Sequence, residues 1–321
     1  GQTVEITGQN VTTQTSSIGI RSFSGNTVTG NGTAGGITFT AVDFDSDGFD
    51  SAVAGGALNI GQSAGTRVSG KGLSFIDPTG DLGFTTLTIF NDGNTGLEVD
   101  TKTNGFNTVF NLTNSGGSVD TTNGTALFLD PLTMNLAFGT VTATGGTNGV
   151  FIDAGDASGG AGANALTITT LNVTGSTGAG LRINNSTGTF SFGTTTINNA
   201  ATTGGGVDID ATGTDTTNVN FSNGLDIDTD SGAGFHANVF APSTFNLEIA
   251  NAGTETINTV TGQILNMLNV NGAGTGINFD SLTSTGTFGG DAVELDLDSG
   301  TFNGGAVTIA GATFDGISLA G

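Results

Sequence analysis

The stretch DFDSDGFDS, residues 43–51, is where this chain comes nearest to metal chemistry. Asp43, Asp45 and Asp47 recur at every second position and Gly48 follows. That is the opening half of a calcium loop, in which hard carboxylate oxygens converge because glycine lets the backbone turn sharply. The twelfth position is Ala54, where a bidentate Glu would stand, so Asp50, a backbone carbonyl or water has to complete the shell. The expected site is therefore Asp43, Asp45, Asp47 and Asp50 around Ca2+. The competing reading is a solvated acidic turn between two structural repeats.

A second set of acids closes a short recurring unit of the form small–apolar–x–apolar–Asp. It reads GLEVD, ALFLD, GVFID, GVDID, GLDID, GINFD and AVELD, ending at Asp100, Asp130, Asp153, Asp210, Asp228, Asp280 and Asp296. Each carboxylate is expected to accept hydrogen bonds from turn N–H groups. The functional alternative is a ladder of acids that holds cations. The one histidine, His236, lies in GFHAN at an outward x position. A single imidazole cannot by itself build a His-based metal site, nor a triad without a second base of the right kind. Arg182, also at an x position, is expected to pair with Asp208 if their repeats are neighbours.

Enzyme chemistry is not expected. Glycoside hydrolysis needs two carboxylates about 5–9.5 Å apart across a cleft. Sugar clefts also offer aromatic platforms, and lyases need a base with cationic neutralisation. This chain has no Trp, no Tyr and 5 basic residues, so no catalytic or cofactor-binding residue is assigned.

What positions these side chains is the repeat itself. Longer copies align without a gap: GLSFIDPTGDLGFTTLTI at 72–89, GLRINNSTGTFSFGTTTI at 180–197 and AVELDLDSGTFNGGAVTI at 292–309. Leu73, Leu181 and Val293 match, as do Ile89, Ile197 and Ile309, and Gly80, Gly188 and Gly300 hold one turn. The spacing implies about 27 residues per coil, room for three short strands joined by turns. Within a strand the side chains alternate, so Leu181 and Ile183 face inward and Arg182 outward. Glu98, Asp208, Asp226, His236, Asn278 and Glu294 occupy the same outward position, while Phe128 and Phe151 depart from the rule. Stacked coils satisfy backbone donors and acceptors between neighbours. The expected fold is an all-β, right-handed parallel β-helix (solenoid) of about 12 coils of three short strands. It is read as one domain over 1–321, with residues 1–70 less regular, as a capping or transition region.

Composition narrows the setting. With 57 Gly but 3 Pro, and no Gly at every third residue, collagen is excluded. Apolar residues at alternate positions argue against disorder. A net charge of −23 repels nucleic acid and anionic membrane surfaces. No apolar run approaches the ~20 residues of a membrane span. No signal peptide is visible and position 1 is Gly, so a mature or excised segment is expected. The absence of Cys is compatible with any compartment, while a large core made without disulfides, the acid excess and the many Thr and Asn fit a bacterial extracellular or cell-surface protein.

The repeat units, TGTF-type turns and Thr-rich strands resemble the right-handed parallel β-helix repeat regions of large bacterial surface and adhesin-type proteins. The resemblance runs from about Gly36 onward. It implies an extracellular structural or adhesive role and carries no catalytic residue. Expected partners are flanking repeats of the same chain or another copy end to end, with surface glycan as a further possibility, and neither nucleic acid nor membrane insertion. The alternative is a calcium-dependent β-helix that binds or cleaves polysaccharide.

Overall fold

A computed structural model describes residues 4–7, 26–28, 36–40, 43–44, 53–61, 67–101, 110–153, 164–212, 216–240 and 242–320. Among them there are 29 strands and no helix, and so no helix long and apolar enough to cross a membrane. The fold is all-β, a parallel β-solenoid. The chain forms two compact units: unit one is Gly1–Ala143 with Ile152–Thr167, and unit two is Thr144–Phe151 with Ile168–Gly321.

Alternation decides the faces, as the repeat requires. Leu97–Asp100, Leu127–Asp130 and Leu181–Asn184 each run buried, half-buried, buried, half-buried. In unit one, Ile37, Leu73, Leu97 and Leu127 stand in register on successive parallel strands, with Phe39, Phe75, Val99 and Leu129 beside them. Phe75 stacks on Phe39 at 5.3 Å between ring centroids and meets Phe110 at 5.2 Å, a geometry that adds to plain area burial.

Unit two repeats the plan. One wall is Leu181, Val207, Phe235, Leu265 and Val293 in register. The long strand Gly188–Asn199 turns across the other two walls. Its first half pairs with Thr216–Phe221, stacking Phe192 on Phe221 at 5.3 Å, and its second half pairs with Leu225–Thr229. Ile197, Ile227, Ile257 and Leu282 then form one aliphatic column. Three strands per coil is thus the observed plan.

The corners explain the glycines. Gly80, Gly188 and Gly300, aligned in the sequence, have φ of 82°, 146° and 95°, where a side chain is strained. Gly206 answers a different demand: a Cβ there would lie 2.1 Å from the Gly234 carbonyl oxygen and 2.5 Å from Ile227 Cγ2. The small residue that opens each repeat unit lets one coil sit directly on the next.

Coil length varies: in unit one the wall steps by 36, 24 and 30 residues between Ile37, Leu73, Leu97 and Leu127. A uniform coil length fails near the start, where the wall passes from residue 37 to residue 73 in a single step.

Candidate functional site

Three outward positions of unit two come into one row. Leu181–Asn184, Val207–Ala211 and Phe235–Val239 are neighbouring parallel strands, with Arg182 opposite Asp208 and Asp208 opposite His236. Inward Leu181, Val207 and Phe235 are fully packed. The strands therefore cannot slip by one residue without turning this apolar set outward, and the row of polar side chains is fixed by the core beneath it.

His236 Nδ1 lies 2.8 Å from Asp208 Oδ1. Arg182 Nε lies 3.6 Å from Asp208 Oδ2, an ion-pair distance too long for a hydrogen bond. The Arg182 guanidinium sits 5.9 Å from the centroid of the Phe151 ring, so the outward Phe151 of this row is covered by a cation. Asp210, two residues beyond Asp208, projects to the same side of the sheet. One oxygen from each carboxylate and one imidazole nitrogen all lie within 4.8 Å of one another. The three side chains are half-buried.

The electrostatics follow from this crowding. The hydrogen bond to Asp208 raises the His236 pKa above its ordinary value; burial opposes this, and the charges of Asp208 and Asp210 reinforce it. Burial raises the Asp210 pKa, and repulsion from Asp208 adds to the rise, with His236 and Arg182 offsetting part of it. The group can therefore hold a proton between imidazole and carboxylate, or accept a cation in its place.

Of the residues expected to bind calcium, Asp43 opens the two-residue strand Asp43–Phe44. Asp45, Asp47 and Asp50 lie outside the described residues. Of the acids that close the repeat units, Asp100 and Asp130 stand in register on neighbouring strands, whereas Asp210 and Asp228 stand beside asparagines. In register with Asp210 stand Asn184 and Asn238, and with Asp228 stand Asn198 and Asn258. Asp228 accepts a hydrogen bond from the Asn258 side chain at 3.0 Å, and Asp280 accepts one from the Glu255 backbone N–H at 3.2 Å. The Arg182–Asp208 pairing is present. The cluster around His236 is what sequence reasoning missed. GVDID and GFHAN give Asp208 and His236 the same outward position, but GLDID lies between them in the sequence, so that their coils are neighbours was not legible.

Fold and site together define a parallel β-solenoid whose outer face carries an Asp–Asp–His cluster. No family model, curated protein or solved structure matches this chain.

Proposed function

We propose that this chain is a structural or adhesive β-solenoid module of a bacterial surface protein or filament, working outside the cell. The observation that carries the proposal is where outward polar side chains direct their hydrogen bonds. Asn246 donates to Asn218 at 2.8 Å, Asn258 to Asp228 at 3.0 Å and Asn266 to Glu294 at 3.0 Å, each pair bridging adjacent coils. In unit one, Asp92 accepts from Thr122 at 2.8 Å and from Asn123 at 2.7 Å, which hold its carboxyl below the usual range. Polar groups used in this way stiffen the stack. The acid excess and the many Thr and Asn support a setting outside the cell.

The same proposal includes calcium at Asp43, Asp45, Asp47 and Asp50, and end-to-end pairing of the solenoid with flanking repeats of the same chain or with a second copy.

Limited proteolysis combined with calorimetry against a glycan panel tests the scaffold reading. The expected result is slow cleavage confined to turns, with no saturable glycan binding. Tight glycan binding or turnover would replace the scaffold with the polysaccharide-binding or polysaccharide-cleaving alternative. A chelator is expected to lower Tm, and an unchanged Tm removes the calcium element. Sedimentation should show self-association that rises with concentration, and a monomer throughout removes the pairing.

A further inference from the structure

We propose that Asp208, Asp210 and His236 form a binding site for a divalent cation of the zinc class, with its open coordination positions facing the pocket beside them.

The donor set points to that class. An imidazole nitrogen with two carboxylate oxygens suits zinc and its neighbours in the transition series. Calcium and magnesium take oxygen ligands and more of them. Zinc–ligand bonds of about 2.0–2.2 Å place tetrahedral ligands roughly 3.3–3.6 Å apart. The three donor atoms already lie within 4.8 Å of one another, so small rotamer adjustments complete the set. The 2.8 Å contact between His236 Nδ1 and Asp208 Oδ1 is the distance of a shared proton. A metal ion displaces that proton and spreads the two ligands by about 0.5–0.8 Å.

The charges agree. Oxygens of Asp208 and Asp210 lie within 4.8 Å of each other in a half-buried group, and a cation between two carboxylates that close relieves their repulsion. Besides His236, the opposing charge among the described residues is Arg182, 3.6 Å from Asp208 Oδ2 and without a hydrogen-bond partner at its buried Nε. It is too loosely held to neutralise both acids.

The pocket adds room for the rest of the shell. Its volume is about 310 Å3, and Asp208 and His236 line it together with Thr177, Ala179, Thr203 and Val207. Three protein ligands next to such a space leave a position for water or for an oxygen of a second molecule. This site is separate from the calcium loop and does not depend on the scaffold role.

The chain has 1 His, which makes the test direct. Protein labelled with 15N at histidine shows a single imidazole. Zinc chloride added at pH 7.5 is expected to shift Nδ1 in a saturable, one-to-one manner, while Nε2 keeps its proton. Millimolar calcium is expected to leave the ring unmoved. In calorimetry, His236→Gln should weaken zinc binding at least about 100-fold, the upper end of what loss of even an outer partner costs, and Asp210→Asn about 10-fold. Arg182→Gln should tighten binding several-fold, because it removes a cation beside the site. A ring that zinc does not move, an isotherm that survives His236→Gln, or an equal response to calcium would each overturn the proposal. The titration of the unsubstituted chain needs no variant to fold.

Discussion

Two arginines stand over phenylalanine rings, Arg67 on Phe90 in unit one and Arg182 on Phe151 in unit two, each 5.9 Å from the ring centroid. Both also face an aspartate, yet they are held very differently. Arg67 donates to Asp120 Oδ2 at 2.7 Å, to the Asp120 carbonyl at 2.7 Å and to the Asn91 carbonyl at 3.2 Å. Its own coil, the coil of Asn91 and the coil of Asp120 are consecutive, so one side chain ties three coils together. Arg182 reaches only Asp208, at 3.6 Å, because the other oxygen of that carboxylate is engaged by His236. The difference lies in the competitor. Where no imidazole is present the arginine is a structural clamp, and where one is present the acid is left shared and open to a new cation.

Removing the clamp should give the largest effect. Arg67→Ala breaks charge-assisted hydrogen bonds in a pair whose side chains are 13% and 27% exposed. It leaves Asp120 part-buried without its cation, a cost of about 2 kcal/mol. Urea unfolding measures it, and a loss below about 0.5 kcal/mol would erase the distinction between the two arginines.

His236→Gln comes next and carries a pH signature. A histidine whose folded pKa is raised contributes stability that is complete below its unfolded value of 6.5 and fades as pH rises through the folded value. The variant should cost about 0.5–1 kcal/mol at pH 6, after screening by solvent, and almost nothing at pH 9. A cost that does not change with pH would show that His236 acts through packing alone.

Asp210→Asn should act in the opposite direction. An acid with a raised folded pKa binds its proton more tightly folded than unfolded, so stability falls as pH rises through the window above 3.8. In chelator-treated protein the neutral isostere should gain up to about 0.5 kcal/mol at pH 7, discounted for screening, and nothing at pH 3. A loss at pH 7 would mean that the Asp210 charge is needed even without a metal.

The same contrast shows what could be read from the sequence. The inward columns, the turn at Gly80, Gly188 and Gly300, and the close approach at Gly206 rest on local signals: period-two alternation and residues without a side chain at corners. Those were legible. The partners of outward residues were not, because they depend on coil length, and that length varies. Ser74 meets Glu98 across 24 residues, Asp208 meets His236 across 28, and Asn258 meets Asp228 across 30. An error of two residues exchanges one outward neighbour for another. Arg67 and Asp120 are 53 residues apart, beyond any pattern that joins consecutive repeats. Reading His236 as an isolated surface side chain followed from the same gap: its ligand-forming neighbours come from the coil before it.

The smallest effect belongs to Arg182→Ala, and it is the sharpest check on the comparison. The side chain is 40% exposed and makes no hydrogen bond to Asp208, so its ion pair should contribute no more than about 0.5 kcal/mol. Its cover over Phe151 adds on the order of 0.5 kcal/mol at an exposed site. These two gains are partly offset, since loss of the guanidinium also frees the Asp208 carboxylate to bond more fully with His236. Stability should therefore change by less than about 0.5 kcal/mol, while the His236 pKa should rise further once the competing cation is gone. NMR titration of the single imidazole reads that second quantity directly. A large stability loss with an unchanged imidazole titration would make Arg182 a clamp of the Arg67 kind, and the two regions would then differ in geometry but not in role.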